Sequence, residues 1–344
     1  MRMTIRRWVQ TCLAAALTLP ALAWSVPNYT GMYVIGDSLS DTGNVQAQYN
    51  FLLALGGLPP GAPPSVPSSA YYQGRFTNGP NYVDVLAGKL GLSVAPSLLG
   101  GSNYAYGAAR TDYHPSGFPF RGILDQKGQL LAQHPVLDSN ALYVVFGGSN
   151  NIQDLLTGTR DGNSAVPPST VAETVNDIAG VLDDLYNAGA RNFLVGNTPN
   201  VGLVPRIREK GASAVAGASF LSAQLHAGFD AMIDAKQALG YNIAELDTYS
   251  LLNDLLANAA AQGITNVTDR CYGGDDLTWA PPAAGSTCGS PSSYLWWDGI
   301  HPTAKVHQIL GEAAYAALVP EPETYVLLGV GGLLVLAVSR RRVA

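Results

Sequence analysis

Charge is scarce in this chain of 344 residues: only 13% are charged, and the basic sign is the scarcer, with 19 Lys and Arg against 25 Asp and Glu. Such a balance supplies no basic stripe for nucleic acid or for an anionic lipid surface, so neither is expected as a partner. Cysteine is scarcer still, with three in all. No Cys-x-x-Cys, His-x-x-x-His or EF-hand spacing occurs, so the motifs predict no metal site and no cofactor. Internal repeats are absent too. What remains is a composition 47% hydrophobic with 38 Gly and 22 Pro, enough to bury a large core in a loop-rich globular fold.

Both ends read as targeting segments. Arg2, Arg6 and Arg7 precede the apolar run "CLAAALTLPALA", and Ala21-Leu22-Ala23 places small residues at the spacing that signal peptidase reads. Residues 1–23 are therefore expected to be a signal peptide, with Trp24 near the mature N-terminus. At the other end the apolar run Tyr325 to Val338 is shorter than the roughly 20 residues of an ordinary membrane span. The order Pro320-Glu321-Pro322, short apolar helix, Arg340 to Arg342 resembles the bacterial PEP-CTERM sorting signal. That resemblance implies that residues 320–344 are a sorting or anchor segment handled by an exosortase. It also implies a protein exported to the periplasm, envelope or medium of a Gram-negative bacterium, with exopolysaccharide as a connected partner.

Residues 24–319 are then one domain, holding 13 basic and 23 acidic residues. Cys12 leaves with the signal peptide, and Cys271 and Cys288 remain as an even pair that an oxidising compartment can join. Strands are expected at Met32 to Ile35, Asn103 to Tyr106, Leu142 to Phe146, Asn192 to Val195 and Asn242 to Leu246, each a short apolar or β-branched run bounded by Gly, Asn or Asp. Between them lie helical patterns, best seen from Ser169 to Ala188, where Val171, Val175, Ile178, Leu182 and Leu185 recur at three- and four-residue spacing. This alternation predicts a three-layer α/β/α sandwich with a parallel sheet. The segment Gly56 to Ser69 is too rich in Pro and Gly for helix or central strand and reads as a surface loop.

The chemistry gathers at strand ends. Ser38, in "VIGDSLSDTGN", ends the first strand, where ligands of open parallel sheets bind; Ser38-x-x-Asp41 also fits a helix capping box, so a cap and a nucleophile are both open readings. Gly107 follows "SNYAY", Asn150 follows "YVVFGGS", and Asp298 and His301 stand in "WWDGIHPT". Acyl transfer needs a hydroxyl nucleophile, an imidazole to take its proton, a carboxylate to orient the imidazole and donors for the oxyanion. These residues offer all four.

The blocks "GDSLSDTGN", "GRFTNGPNYVDVLA", "GSNYAYGAA", "GGSNN" and "DGIHPT", in this order from Met32 to about Ala317, resemble the GDSL lipases and esterases of the SGNH hydrolase superfamily. The resemblance implies Ser38 as nucleophile, His301 as base oriented by Asp298, and Gly107 and Asn150 as oxyanion donors beside the backbone amide of Ser38. Gly107 is preferred to Gly101 for its place after the strand. The resemblance also implies a flavodoxin-like sandwich with a central five-stranded parallel sheet. Asn151 departs from the family, which usually has Asp there; the missing carboxylate is read as support for the loop. His114 is a candidate for the substrate groove, His134, His226 and His307 read as helix residues, and Trp296 and Trp297 as packing residues, one of which could reach an acyl pocket. The expectation is an exported serine ester hydrolase. An acyltransferase or polysaccharide O-deacetylase on the same site, and a catalytically silent binding protein, stand as alternatives.

Overall fold

Short β-branched and aromatic runs, each closed by a residue that favours a turn, build the sheet. The computed structural model describes residues 28–319 apart from 59–61, 63–64, 114–120, 161–164, 278–282 and 284. The expected signal peptide and sorting segment, part of the Gly56 to Ser69 loop, and His114 lie outside the described residues. Strands β1 (Met32–Gly36), β2 (Leu142–Phe146), β3 (Asn192–Gly196) and β4 (Asn242–Leu246) run parallel in the order β1-β2-β3-β4. The register pairs Gly36 with Phe146, Phe146 with Gly196, and Gly196 with Leu246. All four strands thus stop at one rim, and the residues that follow them face a common space.

The sheet has four laddered strands among the described residues, where five were expected. Asn103 to Tyr106 does lie along β1: Tyr104 N–H donates to Val34 O (2.7 Å) and Tyr106 N–H to Gly36 O (3.1 Å). Only Asn103 forms a bridge with Val34, however. The reason is side-chain competition on β1 itself: Gly36 N–H, which a continuing ladder would give to this segment, donates to Gln126 Oε1 at 2.8 Å, and Gln126 Nε2 donates to Gly36 O at 2.8 Å. Asn44 Nδ2 donates to Asn103 O and Ala105 O at 2.7 and 2.9 Å, and Ala105 N–H turns back to the Asn103 side chain at 2.8 Å. The edge that a fifth strand would leave open is thereby satisfied without a ladder.

Successive strand side chains point to opposite faces. Val34, Val144, Leu194 and Leu246 enter one core cluster, while Ile35, Val145, Val195 and Ile243 enter the other. The helices α1 (Asn44–Ala54), α2 (Tyr82–Leu90), α3 (Ile123–Gln133), α4 (Ser149–Thr157), α5 (Val171–Asn187), α6 (Ala212–Ala238), α7 (Thr248–Ala257) and α8 (Ala304–Leu318) supply the outer layers. Tyr82, Val83 and Leu86 of α2 with Ala314 and Leu318 of α8 cover the first face. Ile123 and Leu130 of α3, Ile178 and Leu182 of α5, and Leu225 and Phe229 of α6 cover the second. Each such Leu, Ile or Phe contributes about 1.5–3 kcal/mol on burial, and a one-residue slip of β2 would turn Val144 and Val145 to the wrong layers at once. Helix α5 falls within the expected stretch Ser169 to Ala188 and starts at Val171, with Thr170 Oγ1 accepting Glu173 N–H and the Glu173 carboxylate accepting Thr170 N–H.

A second, two-stranded parallel sheet joins β5 (Asn266–Arg270) to β6 (Tyr294–Trp296). It places the residues after β6 opposite the rim of the main sheet. The chain between the two strands is closed by a Cys271–Cys288 disulfide.

Candidate active site

The turn after β1 holds Ser38 away from any helix. Asp37 O accepts the N–H groups of Ser40 and Asp41 at 3.0 Å, and its side chain accepts Leu39 N–H at 3.0 Å. Helix α1 begins only at Asn44, and its free N–H groups go to Asp41, whose carboxylate accepts Gly43 and Asn44 N–H at 2.7 Å and Val45 N–H at 3.3 Å. Asp41, not Ser38, therefore does the capping. Burial pushes the pKa of Asp41 up to about 6 against the pull of these N–H groups.

The Ser38 hydroxyl lies 2.9 Å from His301 Nε2, and His301 Nδ1 lies 2.6 Å from Asp298 Oδ2. A carboxylate only accepts, so Nδ1 carries the hydrogen and Nε2 presents its lone pair to the Ser38 hydroxyl. Asp298 is wholly buried. Burial by itself raises its pKa, but His301 beside it and the N–H groups of Ile300 and His301, at 2.8 and 2.7 Å from Oδ1, outweigh that and hold the carboxyl below its usual range. Pro302 follows directly, and α8 starts at Ala304, so the Asp298 to His301 turn is fixed at its end by a helix.

The loop expected to supply oxyanion donors runs from Gly107 to Thr111, beside Asn150. Gly107 N–H is occupied, donating to Asp41 Oδ2 at 3.0 Å. Its lack of a side chain serves packing: a Cβ there would stand 2.2 Å from the Phe76 ring, whose other neighbour is the His301 imidazole at 5.2 Å between centroids. The next residue, Ala108, holds a left-handed φ of 62°, a conformation unusual for a residue with a Cβ. Among the described residues neither Ala108 N–H nor Ser38 N–H has a hydrogen-bond partner. Asn150, positioned by Gly148 at φ +116° before α4, donates one amide hydrogen to Ala109 O at 2.9 Å and keeps its second. Asn151, where the family usually has a carboxylate, braces the same loop through its amide, accepting Thr111 N–H at 3.1 Å and donating to Thr111 Oγ1 at 3.2 Å. A two-pronged Arg110–Asp154 pair adds to the brace.

Two supporting residues carry no sequence signal. Tyr71 donates its hydroxyl to Asp298 Oδ2 at 2.7 Å. Asp276 accepts Gly299 N–H at 2.8 Å and Arg206 Nη2–H at 2.7 Å, so it grips the turn from outside. Both depend on contacts between segments remote in sequence, which no local motif records. The remaining described histidines face elsewhere: His134 ends α3 against Tyr33, and buried His307 accepts Tyr82 N–H at 3.2 Å. His226, Asp230 and Glu245 bring one ligand atom each within 4.8 Å of one another. They come from α6 and β4, a combination invisible to spacing rules, and the Asn197 amide already bonds His226 Nδ1 and Glu245 Oε1 at 3.0 Å.

Comparison with known proteins identifies the family. Residues 32–314 match the family model for the GDSL-like lipase/acylhydrolase, and residues 318–342 match the PEP-CTERM protein-sorting motif. A GDSL esterase/lipase of Arabidopsis thaliana is 25% identical over 346 residues, covering 88% of this chain and 89% of its own length. The phosphatidylcholine-sterol acyltransferase of Aeromonas hydrophila is 25% identical, covering 90% and 96%. An esterase of Pseudomonas aeruginosa is 28% identical, covering 92% of this chain and 51% of its own.

Proposed function

The chain belongs to the GDSL-like lipase/acylhydrolase family, and from that premise we propose that it cleaves carboxylic esters through an acyl intermediate on Ser38. The observation that carries this reading is the chain of bonds from Ser38 through His301 to Asp298. Ser38 Oγ attacks the ester carbonyl while His301 Nε2 takes its proton, and the buried charge of Asp298 stabilises the imidazolium that forms. The negative oxygen of the tetrahedral intermediate is met by the amides of Ser38 and Ala108 and by the Asn150 side chain. The role expected of Gly107 passes to Ala108, because the Gly107 amide is held by Asp41. Collapse expels the alcohol, which takes the proton from His301. Water then attacks the acyl-Ser38 carbonyl, giving a proton to His301, and the acid leaves as Ser38 recovers its hydrogen.

An alcohol in place of water turns the same intermediate to acyl transfer, the reaction in the name of the Aeromonas relative. The sorting motif indicates export and association with the cell envelope. We place a signal-peptidase cut after residue 23 and exosortase handling of residues 320–344. Among the described residues no helix is long and apolar enough to cross a membrane.

A fluorophosphonate probe tests the nucleophile. It should label the full-length protein at Ser38, and Ser38→Ala should lose labelling and nearly all p-nitrophenyl ester hydrolysis while melting at the same temperature. A fully active Ser38→Ala enzyme sinks the assignment.

A further inference from the structure

A groove continuous with solvent at its mouth begins at Ser38, Asn150 and His301. It runs between α7, α8, β6 and the stretch from Pro199 to Val204. Fourteen of its twenty-one lining residues are apolar. Leu252, Leu255, Leu295 and Val306, all buried, form its inner wall. The polar lining residues other than Thr248 come from the stretches that carry Ser38, Asn150 and His301, and the hydrogen-bonding groups of Thr248 and of the Trp296 indole are already engaged. Thr248 Oγ1 donates to Asn197 O at 2.5 Å, and Trp296 Nε1–H donates to Val267 O at 3.1 Å.

We infer that this groove is the acyl pocket and that it takes an unbranched aliphatic acyl chain much longer than acetyl. The inference rests on the reading that Ser38 carries the acyl group. A sugar against Leu252, Leu255, Leu295 and Val306 would leave several hydroxyls without partners, a penalty that apolar side chains cannot relieve. An acetyl group would leave most of the apolar wall uncovered. An aliphatic chain covers it and needs no hydrogen bond. The acyl side is favoured over the alcohol side because the acyl group stays bonded to Ser38 between the two half-reactions, whereas the alcohol must leave. A closed inner wall suits the part that stays.

The test is a chain-length series on the full-length protein: p-nitrophenyl acetate, butyrate and octanoate, each below its solubility limit. Each buried methylene is expected to raise kcat/KM about fourfold, so octanoate should exceed acetate by on the order of 10³-fold. Leu251→Trp, which narrows the groove from the half-exposed side of α7, should cut that octanoate-to-acetate ratio at least about tenfold. Octanoyl esters of p-nitrophenol and of glycerol should both be preferred over their acetyl counterparts. A preference for acetate, or one that follows the alcohol, overturns the pocket while leaving Ser38 as nucleophile. Calorimetric titration of Ser38→Ala with decanoate and with acetate reads the pocket without chemistry. Saturable binding of decanoate alone supports it, and equal or absent binding overturns it, whatever becomes of the catalytic reading.

Discussion

Replacing Cys271 and Cys288 with serine, or reducing the bond, should lower thermal stability and turnover together. The two cysteines are 17 residues apart, and closing a loop of that size restrains the unfolded chain by about 3 kcal/mol. For a body of this length that corresponds to a fall in Tm of roughly 6–12 °C. The effect on turnover has a separate origin. The loop carries Tyr272, stacked on Trp297 at 5.4 Å and edge-on to Tyr71 at 5.2 Å, and it carries Asp276, which holds Gly299 N–H. Tyr71 in turn bonds Asp298. Two independent ties thus run from the loop to the turn that presents His301, and a displacement of about 1 Å at a reacting group costs on the order of 10² in rate. The assay pairs a thermal melt with kcat and KM for one ester, measured far enough below the variant's Tm that the protein stays folded. Loss of kcat with a nearly constant KM is expected. A double-serine variant that melts early yet turns over at the parent rate would refute the positioning argument, and two alkylatable thiols in the exported protein without reductant would refute the bond itself.

Tyr71→Phe removes a charge-assisted hydrogen bond from a buried carboxylate and should cost about 1.5–3 kcal/mol at neutral pH by chemical denaturation. Because the pKa of Asp298 is lowered in the fold, its contribution is present above the ordinary carboxylate range and is lost as pH falls through the depressed value. Losing the Tyr71 donor raises that value, so the acid unfolding midpoint of the variant should move to higher pH; an unchanged midpoint counts against the bond's role. Asn150→Ala should lower kcat by about 10² to 10³ with a smaller change in KM, and a variant within a few-fold of the parent would remove Asn150 from the oxyanion site.

Much of this was legible in sequence because strands and catalytic turns leave local marks. Four strand runs and helix α5 lie where periodicity and punctuation place them. The stretches around Ser38, Asn150 and His301 meet at the rim because each follows a strand. The edge segment at Asn103 was misread as a full strand because the competitor for its last rung, the Gln126 side chain on Gly36 N–H, is 90 positions from Gly36. Gly107 and Ala108 could not be told apart by residue type, since the decisive fact is which N–H Asp41 accepts. Tyr71 and Asp276 reach the site only through tertiary packing, and the wall of the apolar groove is assembled from four separate stretches. Sequence spacing has no access to such relations.

The shared rim of the strands also orders events in time. Ser38 and His301 are 263 positions apart, and contacts of such separation form late, after loop closure has been overcome. A chain that has emerged only as far as β4 holds its hydroxyl and its amide donors without a base. His301 takes its place when α8 settles on α2, where His307 receives the Tyr82 N–H. On the proposed mechanism such a chain is inert toward esters until its last helix is in place.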